Sequence, residues 1–313
     1  MTTGTAPGKV ILLGEHAVVY GRPAIAVPVT QVQARVEVED APAGRGITVV
    51  AVDLEQEFQV NCLETGNRET VALARTVCDT LERLGKQVAP DLHITITSTV
   101  PIGRGFGSGA AVATALVRAL ATHLGGYLTA REVSDLVYQT EILHHGTPSG
   151  IDNSVIAFGK PLYFVRGQLD EIFWLGRPFW LVIGDTGIRS STREVVATLR
   201  RRWEEDRATY EAHFTAIGSL VDQARQAMIE GDLAELGRLM DANQRELRAI
   251  GVSSAELERL IAAALDAGAL GAKLSGAGRG GNVIALAEED GCQAIQAALA
   301  TAGACGVIVT QVS

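Results

Sequence analysis

The sequence is poor in aromatic residues, at 5%, and has four cysteines in 313 residues. Cys62, Cys78, Cys292 and Cys305 lie scattered, without the paired spacing of a zinc or iron–sulfur site. They therefore read as small buried apolar residues in a reducing compartment. No apolar run reaches the about eighteen residues that a membrane span needs. The opening Met1-Thr2-Thr3-Gly4-Thr5 lacks the basic start and apolar core of a signal peptide. The expectation is a cytoplasmic protein with no membrane partner. Basic residues are also too few for a nucleic-acid binder, since the net charge is −9 and the pI about 5.2. Any anionic ligand must then be held by a local positive site working against the global field.

Glycine, by contrast, is plentiful and clustered. In Pro101-Ile102-Gly103-Arg104-Gly105-Phe106-Gly107-Ser108-Gly109-Ala110-Ala111, four glycines fall within seven residues. The stretch lies between an alternating strand-like run and a long helix-like one. Glycine reaches φ > 0 freely, so such a loop can turn several N–H groups toward one point. The unpaired N–H groups and positive dipole end of the following helix face the same point. Strand, glycine loop and helix N-terminus together suit phosphate, although a tight turn has the same composition. The Lys-Ser/Thr ending of the Walker loop is missing, which excludes an ordinary P-loop.

Short apolar runs at Val10 to Leu13 and Ala24 to Val29, and clean alternation over Gln31 to Glu39, predict strands. Further strands are expected at Ile47 to Val52, Glu57 to Val60 and Leu92 to Ile96. Helical spacing marks Asn67 to Leu84, Ala110 to Leu124 and Thr129 to His144, with a short helix from Ile151. The second of these is alanine-rich and apolar nearly all round, as a central helix would be. Strands follow at Leu162 to Phe164, Ile172 to Leu175 and Trp180 to Ile183. Ser191 to Ala267 reads as helical throughout, with breaks near Gly231 and at Gly251-Val252-Ser253. Strands at Leu270 to Leu274, Val283 to Leu286 and Gly306 to Val312 enclose a helix from Glu289 to Thr301. Strands and helices are segregated rather than alternating, which indicates α+β. Two domains, 1–178 and 179–313, are expected.

Three further places carry functional side chains. Lys9 opens a buried-looking strand and Glu15-His16 follow its end, so all three can point into one cleft. Lys9 alone reads equally well as a solvated strand-edge lysine. Glu141 and Asp152, eleven residues apart, flank the Gly146-Thr147-Pro148-Ser149-Gly150 turn. One could hold a divalent cation and the other meet a substrate hydroxyl; a surface glutamate and a helix N-terminal aspartate fit the spacing as well. The cluster Ser275-Gly276-Ala277-Gly278-Arg279-Gly280-Gly281 formally contains G-x-G-x-x-G. A dinucleotide site needs a helix after it, whereas Asn282-Val283-Ile284-Ala285-Leu286 is a strand pattern. A hairpin-like turn is expected there instead.

Three segments, taken in order, resemble the GHMP kinase superfamily and, within it, the mevalonate kinases most. They are Ala6-Pro7-Gly8-Lys9-Val10-Ile11-Leu12-Leu13-Gly14-Glu15-His16-Ala17-Val18-Val19-Tyr20-Gly21, the loop at 101–111, and Gly271-Ala272-Lys273-Leu274-Ser275-Gly276-Ala277-Gly278. Gly146-Thr147-Pro148-Ser149-Gly150-Ile151-Asp152-Asn153 is similar to that family's catalytic turn. The resemblance spans essentially the whole chain. It implies a two-domain α+β fold, the N-terminal domain ribosomal-protein-S5-domain-2-like and the C-terminal one a ferredoxin-like α/β sandwich.

The resemblance further implies ATP-dependent phosphorylation of the 5-hydroxyl of mevalonate, with Mg2+. Asp152 would be the base and Lys9 the catalytic lysine, either keeping Asp152 ionised or stabilising the γ-phosphate. Glu141 and Ser108 would hold the metal. ATP would lie on Gly103, Arg104, Gly105, Phe106, Gly107, Ser108 and Gly109, with Gly276, Ala277 and Gly278 nearby. Glu15, His16 and Thr192 would face mevalonate, and a homodimer is implied. Three positions depart from the family pattern: Gly109 stands in place of a metal-binding serine, Arg104 in place of a small residue, and Asn282 in place of a frequent cysteine. Phosphomevalonate kinase, mevalonate diphosphate decarboxylase and a non-catalytic sensor are the alternatives. Lys9 argues against the decarboxylase, which usually lacks it; Lys9, Glu141 and Asp152 together argue against the sensor.

Overall fold

A computed structural model describes residues 1–60, 68–86, 90–145, 149–188 and 191–313. In chain order the regular elements begin with β1 (Thr2–Leu13), β2 (Ala24–Asp40), β3 (Ile47–Ala51), β4 (Gln56–Gln59), α1 (Arg68–Arg83) and β5 (Leu92–Ser98). They continue with α2 (Ser108–His123), α3 (Ala130–His145), α4 (Ile151–Phe158), β6 (Leu162–Phe164), β7 (Glu171–Ile172) and β8 (Phe179–Asp185). The remainder are α5 (Thr192–Glu205), α6 (Arg207–Glu230), α7 (Leu233–Ala249), α8 (Ala255–Asp266), β9 (Gly271–Ser275), β10 (Asn282–Ala287), α9 (Cys292–Thr301) and β11 (Gly306–Val312). The class is α+β, as expected from the segregated patterns.

The described chain groups into two compact units, neither continuous in sequence. One comprises 1–8, 32–102 and 106–159; the other comprises 9–31, 103–105 and 160–313. In the first, β2 pairs antiparallel with β5, β5 pairs parallel with β3, and β3 pairs with β4. Val36, Val38, Val49, Ile94 and Ile96 are buried in that sheet. α2 is buried on almost every side, because alanine leaves room for neighbours all round. At Gly4 in β1 a Cβ would lie 2.3 Å from the Ala115 carbonyl oxygen, so only glycine allows that approach to α2. Arg118 of α2 donates to the carbonyls of Thr5 at 2.7 Å and Ala157 at 2.8 Å, tying strand and α4 to the same helix.

The second unit holds a four-stranded antiparallel sheet in the order β11-β8-β10-β9. Its core joins Val182, Leu274, Val283 and Ala285 to Leu257, Leu260 and Ile261 of α8 and Ile295 and Leu299 of α9. α7 crosses the start of β9 closely, since a Cβ on Gly237 would lie 2.2 Å from the Leu270 carbonyl oxygen. β9 and β10 form the antiparallel hairpin that ruled out a dinucleotide loop.

Three expectations need correction. The two strands around Thr30 are one, β2; it pairs with β6 over 24–26 and with β5 over 34–40, and Pro28, which has no N–H to give, lies between those stretches. The long helical tract also breaks at Asp206, whose side chain caps α6 by accepting from the Thr209 N–H at 3.2 Å. Cys78 is disulfide-bonded, not a free thiol, while Cys292 and Cys305 are free. Cys62 lies outside the described residues. Among those residues, no helix is long and apolar enough to cross a membrane.

Candidate active site

In the first unit the glycine loop runs into α2 through Gly107, whose φ of 70° is left-handed. Among the described residues no side chain caps the helix; its first N–H groups are left for another acceptor, and the first intrahelical bond runs from the Ala111 N–H to the Gly107 carbonyl at 2.9 Å. α2 begins at Ser108, two residues before the pattern suggested, which puts Ser108 and Gly109 in its first turn. Phe106 is buried and anchors the loop, whereas Gly109 is exposed.

Glu141, on α3, is buried at 4% exposure. A Cβ at Gly109 would lie 3.3 Å from its Oε1, so position 109 faces that carboxylate directly. This cradle fits a magnesium ion, which takes one or two carboxylates and completes its shell with substrate phosphates and water. Among the described residues, no group of three His, Cys, Asp or Glu is placed to hold a metal by side chains alone.

Asp152 lies in the first turn of α4, half-buried, after Gly150 at φ 95°. Residues 146–148 of the turn before it lie outside the described residues. The next residue holds α4 to α3: Asn153 Nδ2 donates to the Ser134 carbonyl at 3.2 Å and to its hydroxyl at 2.9 Å. The Ser134 and Ser154 hydroxyls meet at 3.1 Å. This buried polar network fastens the helix that carries Asp152, and sequence reading missed it. Its only signal was the run of small polar residues beside Asp152.

In the second unit Lys9 is buried, at 5% exposure, which removes the reading of a solvated strand-edge lysine. β1 ends at Gly14, whose φ is 99° and where a Cβ would lie 2.5 Å from the Ala24 Cα. Glu15 and His16 follow, 1% and 6% exposed, and His16 itself takes φ 62°. His16 Nε2 donates to the Ala277 carbonyl at 2.9 Å, leaving Nδ1 as the acceptor nitrogen. Burial, helped by the charge of Lys273 and opposed by that hydrogen bond, lowers the His16 pKa to about 4, so the ring is neutral at pH 7.

The Glu15 carboxylate pairs with Lys273 of β9, 0% exposed, which also donates to the Leu274 carbonyl at 2.5 Å. Burial pushes the Glu15 carboxyl up and the Lys273 ammonium down, and their mutual attraction opposes both shifts. Ser275 donates to the Ile11 carbonyl at 2.8 Å. The first and third motifs are thus fastened by Lys273–Glu15, Ala277–His16 and Ser275–Ile11. Lys273 was not singled out from the sequence, because nothing local marks a strand lysine as buried.

The third-motif loop carries Gly276 at φ 94° and Gly278 at φ 80°, and a Cβ on Gly278 would lie 2.1 Å from the Val252 carbonyl oxygen. Residues 103–105 of the glycine loop belong to this unit, with Gly103 at φ 68° and Gly105 at φ 79°. The charge of Arg104 is not isolated, as it pairs with Asp185 at 3.2 Å. Thr192 is exposed in the first turn of α5, behind the Ser191 cap.

Residues 72–160 match the model of the GHMP kinases N terminal domain, and 224–305 that of the GHMP kinases C terminal. A mevalonate kinase of Pyrococcus horikoshii is 39% identical over 300 residues, covering 90% of this chain and 88% of the relative. One from Thermococcus onnurineus is 36% identical over 301 residues, covering 91% and 89%. The solved structure of the L. major mevalonate kinase in complex with R-mevalonate superposes with a TM-score of 0.84 at 30% identity, covering 100% of this chain and 96% of that one. With identity at this level across nearly the full length of both partners, the chain belongs to the GHMP kinases and, within them, to the mevalonate kinase family.

Proposed function

We propose that this chain transfers the γ-phosphoryl group of ATP to the primary 5-hydroxyl of mevalonate, giving 5-phosphomevalonate and ADP. The observation that carries the chemistry is the uncapped N-terminus of α2, with the Glu141 carboxylate facing position 109 of its first turn. That arrangement offers N–H donors to phosphate oxygens beside a carboxylate suited to the accompanying cation. Phosphoryl transfer passes through a loose transition state and depends mainly on positioning and charge neutralisation. Residues Gly103 to Gly109 receive the phosphates, with Gly276, Ala277 and Gly278 beside the nucleotide.

Glu141 and Ser108 would hold magnesium, which when bound offsets the charge of the phosphate oxygens. Asp152 orients the hydroxyl and accepts its proton, and a weak base suffices when the proton leaves late. Lys9 contributes the cationic charge that the transfer needs. His16 offers Nδ1 to the mevalonate side, Glu15 holds the turn that presents it, and Thr192 is the third residue assigned there.

A coupled ADP-release assay with mevalonate, phosphomevalonate, galactose and homoserine in parallel tests the assignment. Turnover is expected with mevalonate. Turnover with another of the four alone would replace the substrate, and ATP binding without turnover would make the chain a sensor.

A further inference from the structure

Two of the positions that depart from the family pattern touch each other. Asn282 Nδ2 donates to the backbone carbonyl of Arg104 at 2.5 Å, and the Arg104 guanidinium pairs with Asp185 at 3.2 Å. Asn282 and Asp185 stand directly opposite each other in the register of β10 and β8. Directly opposite partners present neighbouring side chains to one face of a sheet. Ser275, opposite Asn282 on β9, extends the row and fastens the first motif through Ile11. One cross-strand row therefore grips both the first motif and the glycine loop.

The grip on the loop is built, not incidental. Asn282 is 2% exposed, so its amide donates in a dry setting where the bond is stronger and its loss costlier than at a surface. Asp185 Oδ1 also accepts from the Gly187 N–H at 2.8 Å, which fixes the carboxylate before Arg104 meets it. Arg104 sits between two left-handed glycines, Gly103 and Gly105. Such a backbone wanders unless held, because glycine gives up the most freedom on ordering.

We propose that Asn282 and Asp185 are positioning residues for the nucleotide phosphates: they hold the loop at Arg104, by its carbonyl and its guanidinium, and the loop meets the phosphates with its backbone N–H groups. A loop ordered before ATP arrives does not spend binding energy on ordering itself. The inference rests on the reading of this loop as the phosphate site.

The test compares wild type with Asn282→Ala, Arg104→Ala, Asp185→Asn and the Arg104→Ala/Asp185→Asn double variant. Gly107→Ala serves as the loop control. Calorimetric titration with a non-hydrolysable ATP analogue and magnesium is paired with initial rates. Asn282→Ala is expected to weaken analogue binding about tenfold, with kcat and the KM for mevalonate within about twofold. The two single variants at the ion pair are each expected to weaken it about threefold, and the double variant no further, because all three remove one contact. Analogue affinity unchanged in Asn282→Ala and Arg104→Ala but lost in Gly107→Ala would overturn the tether and spare the loop. If Gly107→Ala also left affinity unchanged, the loop assignment itself would fall. A parallel loss in kcat and both KM values would mark Asn282 as a general structural residue and equally overturn the proposal. Should Asn282→Ala melt below assay temperature, the ion-pair variants carry the test, since both side chains are about one-fifth exposed.

Discussion

Replacing Lys273 by Met should destabilise the second unit far more than a surface lysine would. Lys273 is 0% exposed and Glu15 is 1% exposed, so the variant leaves a carboxylate buried without its cation. Among the described residues Glu15 Oε2 has no hydrogen-bond partner, and the attraction of Lys9 for this carboxylate is weaker than that of Lys273. The Leu274 carbonyl loses a donor as well. Removing one member of a buried pair costs about 3–5 kcal/mol, because the other charge stays buried and uncompensated. Removing both members and keeping the volume costs much less. Lys273→Met combined with Glu15→Leu should therefore lie within about 2 kcal/mol of wild type, far short of the summed single effects. All three tryptophans, Trp174, Trp180 and Trp203, belong to the second unit, so their fluorescence during urea unfolding reports on it selectively. A loss below about 1 kcal/mol for Lys273→Met, or additive single effects, would refute a buried, mutually dependent pair.

The remaining predictions concern position 16, position 109 and the helix that carries Asp152. With a folded pKa of about 4 against an ordinary 6.5, His16 resists protonation in the native state. Its contribution is complete above pH 6.5 and is lost as pH falls toward 4, in total about 3 kcal/mol. His16→Gln should flatten the acid limb of stability between those values in urea melts, and an unchanged limb would assign it to other groups. Gly109→Ser places a Cβ 3.3 Å from Glu141 Oε1, so the magnesium concentration for half-maximal activity should move by more than about twofold; an unaltered magnesium dependence would remove position 109 from the metal site. Asn153→Leu strips the donor that ties α4 to Ser134, and should cost about 1–3 kcal/mol with kcat falling more than either KM. Equal changes in all three constants would show that Asn153 does not act through Asp152.

Much of the framework was written in local patterns. The alanine-rich helix, the breaks at Gly231 and Gly251 with φ of 75° and 77°, and the hairpin after the third motif follow from periodicity and turn chemistry. So did the loop that precedes α2. What stayed hidden was long-range. Glu15 and Lys273 are 258 residues apart, and Arg104 and Asn282 are 178 apart, so no window of sequence contains either pair. Asn282 stood out only as a departure from the family pattern until the register set it beside Asp185. The break at Asp206 escaped because a lone capping aspartate, without Gly or Pro, also suits a helix surface. The position of Glu141 against Gly109 turns a doubtful substitution into a geometric statement, since a serine there would point at the carboxylate.

The central claim is phosphoryl transfer to mevalonate with Asp152 as the base. The most direct test is the rate of ADP release from ATP and mevalonate by wild type and by Asp152→Asn, each checked for intact folding and nucleotide binding. Wild type should turn over, and Asp152→Asn should be slower by about 10²–10⁴-fold, the usual worth of a positioned acid–base group. Near-normal turnover by a folded Asp152→Asn would contradict the account.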